Sequence, residues 1–488
     1  MSGFPMLRVR AISRAPLRPE RRYVLYWMIA CRRAHDSFAL DRCVTWAREL
    51  DRPVVVLEAL RCGHRHASER LHRFVLDGMI DNAAAFERAG VTYLPYVERA
   101  PGEGRGLLRA LAEHACVVVT DEYPTFFLPR MVDAAAGQLS VRLEAVDGNG
   151  LLPLRAARRA FPRAYGFRRF LQRELPHHID DAPSRDPFAA LERAPRPRLP
   201  SLRAWPMTSA RELGRPSLVA ELPIDHEVGA VALRGGSGAG LARALEFIRD
   251  ELARYPEERA HPDSGVESRL SPYLHFGHLS THRVLAELAS SEGWRADRLP
   301  REVTGKREGA WGMSPGAEAF LDQLVTWREL GYVFCAYEPA HASYDALPPW
   351  AHATLKKHAA DARPQLYSRE DLEQARTGDE LWNAAQRQLV VEGRIHNSLR
   401  MLWGKRVLEW TRTPEEAHAL LFELNDRWAL DGRDPNSVSG IGWTLGLFDR
   451  AWGPERPIFG TVRYMSSAAQ RRKLRMKQWL ARFSVPPS

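Results

Sequence analysis

Lysine is nearly absent from this chain: only Lys306, Lys356, Lys357, Lys405, Lys473 and Lys477 occur among 488 residues. Lysine and arginine together number 70 against 60 Asp and Glu, so the formal charge of +10 is almost wholly arginine. In an Ala/Pro/Gly/Leu-rich chain such a bias is the mark of GC-rich coding, so the total charge is a weak pointer to a polyanionic partner. Cysteine is also scarce. The five residues Cys31, Cys43, Cys62, Cys116 and Cys335 are odd in number and form no CxxC. That pattern argues against a disulfide framework or a zinc finger and fits a reducing cytoplasm. No run approaches the 18 apolar residues or so that a membrane span needs, so no membrane association is expected. The N-terminus, MSGFPMLRVRAISRAPLRPERR, is basic but lacks an apolar h-region, so no secretory signal is expected. Internal repeats and coiled-coil heptads are missing too.

What remains is ordinary globular composition, 45% hydrophobic and 27% charged, which excludes a mainly disordered or collagen-like chain. The length allows two to four domains of roughly 100–200 residues each. After a basic extension over 1–21, residues 22–150 alternate between strand and helix patterns. Strands are predicted at 22–28, 53–60, 91–97, 116–122 and 141–147, and helices at 38–50, 68–89, 106–115 and 128–137. Such alternation predicts a doubly wound parallel sheet with its ligand crevice at the carboxyl ends of the strands. No GxGxxG follows the first strand, which argues against Rossmann-type NAD binding. Residues 151–235, rich in Pro and Arg, read as an interdomain linker laid over the surface. From 236 to 488 helical periodicity dominates and tryptophan is concentrated. The expected fold class is therefore α/β: a Rossmann-like N-terminal domain, a long linker and an all-helical C-terminal domain.

Several clusters invite chemistry. RGGSGAG (234–240) precedes a helix but has neither dinucleotide nor P-loop spacing, so a flexible helix start is the better reading. Cys62, His64, His66 and His72 lack a structural-zinc spacing and a second ligand pair; they read as exposed loop histidines, as do His177 and His178, and no metal is expected. SRLSPYLHFGHLS (268–280) offers serine side chains and first-turn N–H groups suited to a pyrophosphate, or a plain capped helix. In 381–410, Trp403 and Trp410 are seven apart on one helix, roughly 10 Å along it, and Trp382 sits on the preceding helix beyond a Glu392–Gly393 turn. They are either core bulk or an electron-hopping chain. Arg400 in the same segment needs an anion if buried. The stretch 424–453 reads as a loop dense in polar groups, with Asp426, Asp431 and Asp434 among Asn, Gly and Trp, which is costly to bury without a ligand.

Six motifs combine these segments: SPYLHFG (271–277), FLDQLVTWREL (320–330), LWNAAQ (381–386), RMLWGKRVLEW (400–410), LNDRWALDGRDPN (424–436) and DRAWG with VRYM (449–453, 462–465). With YWM at 26–28, they make the chain resemble the photolyase/cryptochrome flavoproteins over nearly its whole length, most closely the class II cyclobutane-pyrimidine-dimer photolyases. The resemblance implies a helical domain that binds FAD, blue-light-driven electron transfer to a flipped-out pyrimidine dimer in DNA, and a monomer. It matches Tyr255 to a flavin contact, and Ser268, Leu270 and Ser271 to a pyrophosphate clamp. Arg400 and Asp431 match an ion pair beside the isoalloxazine, Asn425 the residue near flavin N5, and Asn436 joins the same cofactor-binding set. Trp382, Trp403 and Trp410 match the electron-transfer triad. Trp327 and Trp443 match the aromatics that wall the dimer, and Arg450, Trp452 and Arg463 the DNA-binding rim, with the run QRRKLRMK (470–477) as a further candidate.

The chain departs from the family pattern at named positions. Gln323 stands where a catalytic Glu is expected one helical turn before Trp327; an amide donates a hydrogen bond but carries no acid proton. Arg259-Ala260-His261 replaces an RND-type segment, IHNSLRM (395–401) is closer to the class I form, and IACRR follows YWM where QRDQR is usual. The last departure leaves a second antenna chromophore, of deazaflavin or folate type, open. The expectation is a DNA photolyase in which Gln323, Trp327, Asn425 and Trp443 handle the lesion. The alternatives are a cryptochrome-like photoreceptor with little or no repair, which Gln323 favours, and a FAD-binding relic.

Overall fold

The computed structural model describes residues 4–191 and 196–484. The ends of the 1–21 extension and of the helical region, and four positions of the 151–235 segment, lie outside the described residues. The chain divides into two compact units. The first comprises 1–158, 174–246 and 269–296, and the second 159–173, 247–268 and 297–488.

The first unit is built on a six-stranded sheet: β1 (Val9–Ala11), β2 (Tyr23–Met28), β3 (Val54–Leu60), β4 (Thr92–Val97), β5 (Ala115–Asp121) and β6 (Leu143–Val146), in the order β1-β6-β5-β2-β3-β4. Pairings are parallel, with Leu25 of β2 opposite Val55 on one side and Val118 on the other. Only β1 runs antiparallel, against β6. β2 and β5 are buried at every residue. That is why they read as continuous β-branched and aromatic runs: both faces of a parallel sheet are covered by helices. Helices α1 (Phe38–Leu50), α2 (Glu69–Ala89), α3 (Leu107–Ala112) and α4 (Leu128–Ala136) complete the alternation. α1 starts where the Ser37 side chain accepts from Leu40 N and ends at Asp51 in the left-handed region. Its Phe38, Leu40, Val44 and Ala47 pack with Val24, Tyr26, Val56 and Val119 of the sheet.

The strand order reverses between β5 and β2, and the chain is tied there by one carboxylate. Asp121, at the end of β5, accepts the N–H groups of Ile29, Ala30 and Cys31 at 2.9, 2.8 and 3.0 Å and the Tyr26 hydroxyl at 2.7 Å. Burial, with the Asp121 charge beside it, pushes the Cys31 thiol up to about 12.

Two local expectations change. β1 lies inside the predicted basic extension; three residues with two side chains in solvent carry no alternation to detect. The 151–235 segment holds the short helices Ala164–Glu174, Ala210–Leu213 and Ser217–Ala220, and Leu213, Leu218, Val219 and Leu222 pack on Val75, Leu76 and Met79 of α2.

The second unit is helical. Its main members are Pro315–Leu321, Arg328–Tyr337, Glu380–Glu392, Asn397–Trp410, Pro414–Trp428 and Pro435–Thr444. The stretch 424–453, expected as a polar loop, is largely the last two of these. Asp434 caps the second of them, its Oδ1 accepting from Asn436 N at 2.8 Å, and its Oδ2 accepts from the Tyr332 hydroxyl at 3.1 Å. No helix of the described residues is long and apolar enough to cross a membrane.

Gly277 tests the packing of the first unit. Its φ is +69°, and a Cβ there would sit 2.0 Å from the Ala30 carbonyl oxygen and 2.6 Å from Cys31 Cα. Gly277→Ala should destabilise the unit by roughly 2–4 kcal/mol through overpacking and left-handed strain. Gly90→Ala, at φ +71° with nothing within 4 Å, should cost only about 1 kcal/mol. Thermal melts of the two variants should differ in that order, and equal losses would contradict the packing.

Candidate functional site

The helices Glu380–Glu392 and Asn397–Trp410 form an antiparallel pair. The first is capped by Asp379, whose Oδ1 accepts from Leu381 N and Trp382 N at 3.1 and 3.2 Å, and it ends at Gly393 with φ +69°. This pairing places Trp382 between the two tryptophans of the next helix. Trp382 and Trp403 are stacked at 6.4 Å with 2° between planes, and Trp382 and Trp410 meet edge-on at 5.4 Å. The order in space is therefore Trp403–Trp382–Trp410, not the order in the chain. Both inner indoles are pinned: Trp382 Nε1–H donates to Trp403 O and Trp403 Nε1–H to Gln386 Oε1, each at 2.9 Å. Trp382 is fully buried. Satisfied N–H groups in a dry core hold ring orientation and leave no solvent to reorganise around a passing charge.

Gln323 and Trp327 lie on a π-helical turn, Asp322–Trp327, set between two α-helices. An extra residue per turn changes which side chains face outward, a device common at functional sites. Here Gln323 and Trp327 are half-buried while Asp322, Leu324, Val325 and Thr326 are buried. The Asp322 carboxylate holds the turn. Its Oδ1 accepts from Arg168 Nε and a terminal guanidinium N–H at 3.1 and 3.0 Å, and its Oδ2 from Trp327 Nε1 at 3.2 Å. Trp327 stacks on Trp443 at 4.6 Å with 17° between planes. The two rings therefore lie face to face at stacking distance, each covering part of the other.

Trp443 is placed from below. A Cβ on Gly404 would lie 2.4 Å from Thr444 Cγ2, so the helix Asn397–Trp410 is pressed against the end of the helix Pro435–Thr444. The next residue, Lys405, is fully buried and donates to the Thr444 carbonyl at that helix end. Burial pulls its ammonium down to about 7, with the nearby Arg463 charge adding and Asp449 opposing.

Two charged side chains each carry a bare buried atom. Arg400 Nε and Asp431 Oδ1 are buried and have no hydrogen-bond partner among the described residues, and no ion pair within 4 Å joins the two side chains. Leaving such atoms bare costs about 1–3 kcal/mol each, more for charged groups. Asn425 is buried and donates from Nδ2 to Asp426 Oδ1 at 3.0 Å, and Asn436 Nδ2 donates to Asp434 Oδ1 at 2.7 Å. Tyr255 packs on Phe247 and Phe320, and burial raises its phenol above the ordinary value. Ser268 is half-buried in the second unit; buried Leu270 and exposed Ser271 belong to the first.

Arg450, Trp452 and Arg463 form a local stack. The two guanidinium carbons lie 4.5 and 5.0 Å from the Trp452 ring centre, and Asp449 Oδ1 accepts from Arg450 N and Trp452 Nε1 at 2.9 and 3.1 Å. Both arginines are exposed. The basic run at 470–477 groups elsewhere: Arg471 pairs with Glu380 at 2.7 Å and Arg475 lies 4.0 Å from Glu258. In the first unit His72 departs from the exposed-loop reading. It is buried in α2 against the Ser68 and Arg61 carbonyls, and burial lowers its pKa. His64 and His66 are half-buried and pack on Phe126.

Asp322, Arg168, Gln386 and Lys405 were not singled out in sequence. The one usable signal was Lys405, a lone lysine on an apolar helix of a chain that otherwise uses arginine.

No family model matches the chain. It is 32% identical over 461 residues to the deoxyribodipyrimidine photo-lyase of Methanothermobacter thermautotrophicus, covering 94% of each chain. It is 32% identical to the protein of the same name from Potorous tridactylus, over 99% of this chain and 85% of the relative. Among solved structures it is similar to a bacterial class III photolyase from Agrobacterium tumefaciens, with TM-score 0.65, 18% identity, and 95% and 86% of the two chains covered. It is also similar to a Synechocystis cryptochrome, with TM-score 0.67, 16% identity, and 95% and 88% covered.

Lys405 gives the site a pH signature. The unfolded lysine keeps its ordinary value near 10.5, so between about 7 and 10.5 the unfolded chain binds more protons than the native one. Native stability therefore gains from Lys405 as pH rises through that window, and the penalty is complete below about 7. Lys405→Met should show a flatter rise of melting temperature from pH 7 to 10 than the parent. A parent-like slope would show that Lys405 titrates normally.

Proposed function

The chain belongs to the photolyase/cryptochrome family, and on that premise we propose that it is a FAD-dependent, blue-light-driven DNA photolyase of the class II kind, splitting cyclobutane pyrimidine dimers. The observation that carries this reading is the buried Trp403–Trp382–Trp410 stack starting one helical turn from Arg400. Residues three apart share a helix face, so a cofactor held by Arg400 lies beside the Trp403 end of the chain. The buried, partnerless Arg400 Nε and Asp431 Oδ1 fit the polar edge of an isoalloxazine. Asn425, Asn436, Tyr255 and Ser268, all of the second unit, complete the set assigned to FAD there. When bound, reduced FAD supplies a light-driven electron donor; the chemistry is the cofactor's and the protein supplies orientation and dryness.

The protein's own groups have distinct tasks. The stacked Trp327–Trp443 pair offers an apolar surface to two linked pyrimidines that have left the helical stack. Gln323, on the same π turn, hydrogen-bonds a carbonyl of the lesion without being able to give up a proton. The exposed Arg450–Trp452–Arg463 stack meets the DNA beside the lesion, through phosphate charge and an aromatic face. Trp410, Trp382 and Trp403 pass electrons inward to restore the reduced cofactor. Residues 22–150 are the antenna-type domain, joined by the 151–235 segment. A cryptochrome-like photoreceptor is the second reading, and Gln323 is the observation that favours it.

Reduced, FAD-loaded protein mixed with dimer-containing DNA should restore thymines under blue light. Intact photoreduction with no repair above a dark control would select the receptor. Trp382→Phe should reduce light-driven cofactor reduction by at least tenfold while sparing repair by chemically reduced enzyme. Loss of both would assign Trp382 to the core alone. Gln323→Glu should raise the repair rate, measured by single-flash turnover; an unchanged or lower rate would remove Gln323 from the lesion site.

A further inference from the structure

The helix Ala164–Glu174 contributes to the second unit from both of its faces, and only the inner one has a role so far. Inside, Phe167, Phe170 and Leu171 are buried and Arg168 is clamped to Asp322. Outside, Arg163, Tyr165 and Arg169 are exposed, with Tyr165 at 57%, one of few large apolar side chains so placed. Lys306 is exposed beside them. Arg163, Arg169 and Lys306 have no carboxylate partner within 4 Å among the described residues. The face therefore presents three cations without a counter-charge and one exposed aromatic ring.

The face is also ordered. Gln172 Nε2 donates to Lys306 O at 2.9 Å, and its Oε1 accepts from Gly305 N at 2.7 Å, so the 305–306 backbone is fastened to the helix. Gly305 has φ +74°, and a Cβ there would lie 2.7 Å from both Tyr165 Cε2 and Arg169 Cγ. The glycine backbone thus lies against Tyr165 and Arg169, which are one helical turn apart, and holds them side by side. A preorganised set of cations loses little side-chain entropy on meeting an anion. On the other side of the helix, two hydrogen-bonded steps, Arg168 to Asp322 and Asp322 to Trp327, reach the stacked tryptophan pair. A helix with its side chains is about 10 Å across. Phosphates held on its outer face therefore lie about one helix width from the clamp that orients Trp327.

We propose that the outer face of the helix Ala164–Glu174, together with Lys306, grips the backbone of duplex DNA: Arg163, Arg169 and Lys306 meet phosphates, and Tyr165 lies against the sugar edge. This rests on the photolyase reading for its partner and extends the contact surface beyond the Arg450–Trp452–Arg463 stack. The grip reads no sequence and no lesion. It contributes affinity for any duplex, and Arg168–Asp322 keeps it in fixed register with the tryptophan pair.

The test is binding of undamaged duplex DNA in the dark by fluorescence anisotropy, over a series of salt concentrations, with the full-length protein. The triple variant Arg163→Ala, Arg169→Ala, Lys306→Ala should bind at least tenfold more weakly. Its log-affinity against log-salt slope should fall by about 2–3, the release expected for three phosphates. Lys306→Glu alone, on an exposed loop, should cost three- to tenfold and serves if the triple variant melts early. Unchanged affinity and slope in both would overturn the proposal. So would a loss confined to an acidic polyglutamate peptide, which would assign the face to a protein partner. The photolyase reading fails separately, through absence of a preference for dimer-containing DNA or of light-driven repair. Such a protein still shows the grip if the variants lose duplex affinity.

Discussion

The carboxylate of Asp322 is the interaction on which the rest of the candidate site depends. It lies in the core of the helical unit, where an unpaired negative charge costs several kcal/mol. Its two oxygens are satisfied by Arg168 from a helix more than 150 residues earlier and by the indole of Trp327 five residues later. The π-helical turn makes both contacts possible, because it inserts one residue and brings Trp327 round to the side of Asp322. The same turn leaves Gln323 half-exposed. Position, charge balance and exposure at this site are one solution to a single burial problem.

The tryptophan chain obeys a similar constraint. A buried indole N–H must donate, and the two inner rings donate to the carbonyl of Trp403 and the amide of Gln386. These bonds run between the two helices that carry the rings, so the bonds that satisfy the core also set the ring-to-ring geometry. By contrast, Arg400 Nε and Asp431 Oδ1 break the rule. A bare buried polar atom is a place where a ligand can supply the missing partner.

Lys405 shows how far the helix Asn397–Trp410 and the loop around Trp452 share one electrostatic environment. Its ammonium meets the carbonyl end of the helix that carries Trp443, where a positive charge is favoured. It also feels Asp449 and Arg463, which belong to the exposed stack around Trp452.

Much of this was legible from local pattern. The parallel strands from β2 to β6 were readable because a sheet covered on both faces demands unbroken β-branched runs, and α1 because Ser37 and Asp51 bracket its periodicity. β1 was not, since three edge residues in solvent have no period. The stretch 424–453 looked like a loop because capping residues and loop residues are the same chemical types; only the helix geometry shows that Asp434 and Asn436 are used as a cap. His72 looked exposed for a related reason, since a histidine satisfied by two backbone carbonyls leaves no partner in the sequence to see. The sequence by itself determined the strands β2 to β6 and the helices between them, and which tryptophans, arginines and acids stand in family-like order. Those properties depend on neighbours within a few positions. Only the tertiary structure decided that Trp382 lies between Trp403 and Trp410, that Trp327 and Trp443 stack, and that Asp322 belongs to Arg168. Such pairings join distant parts of the chain, and the need to satisfy buried polar groups selects them only after the helices have packed.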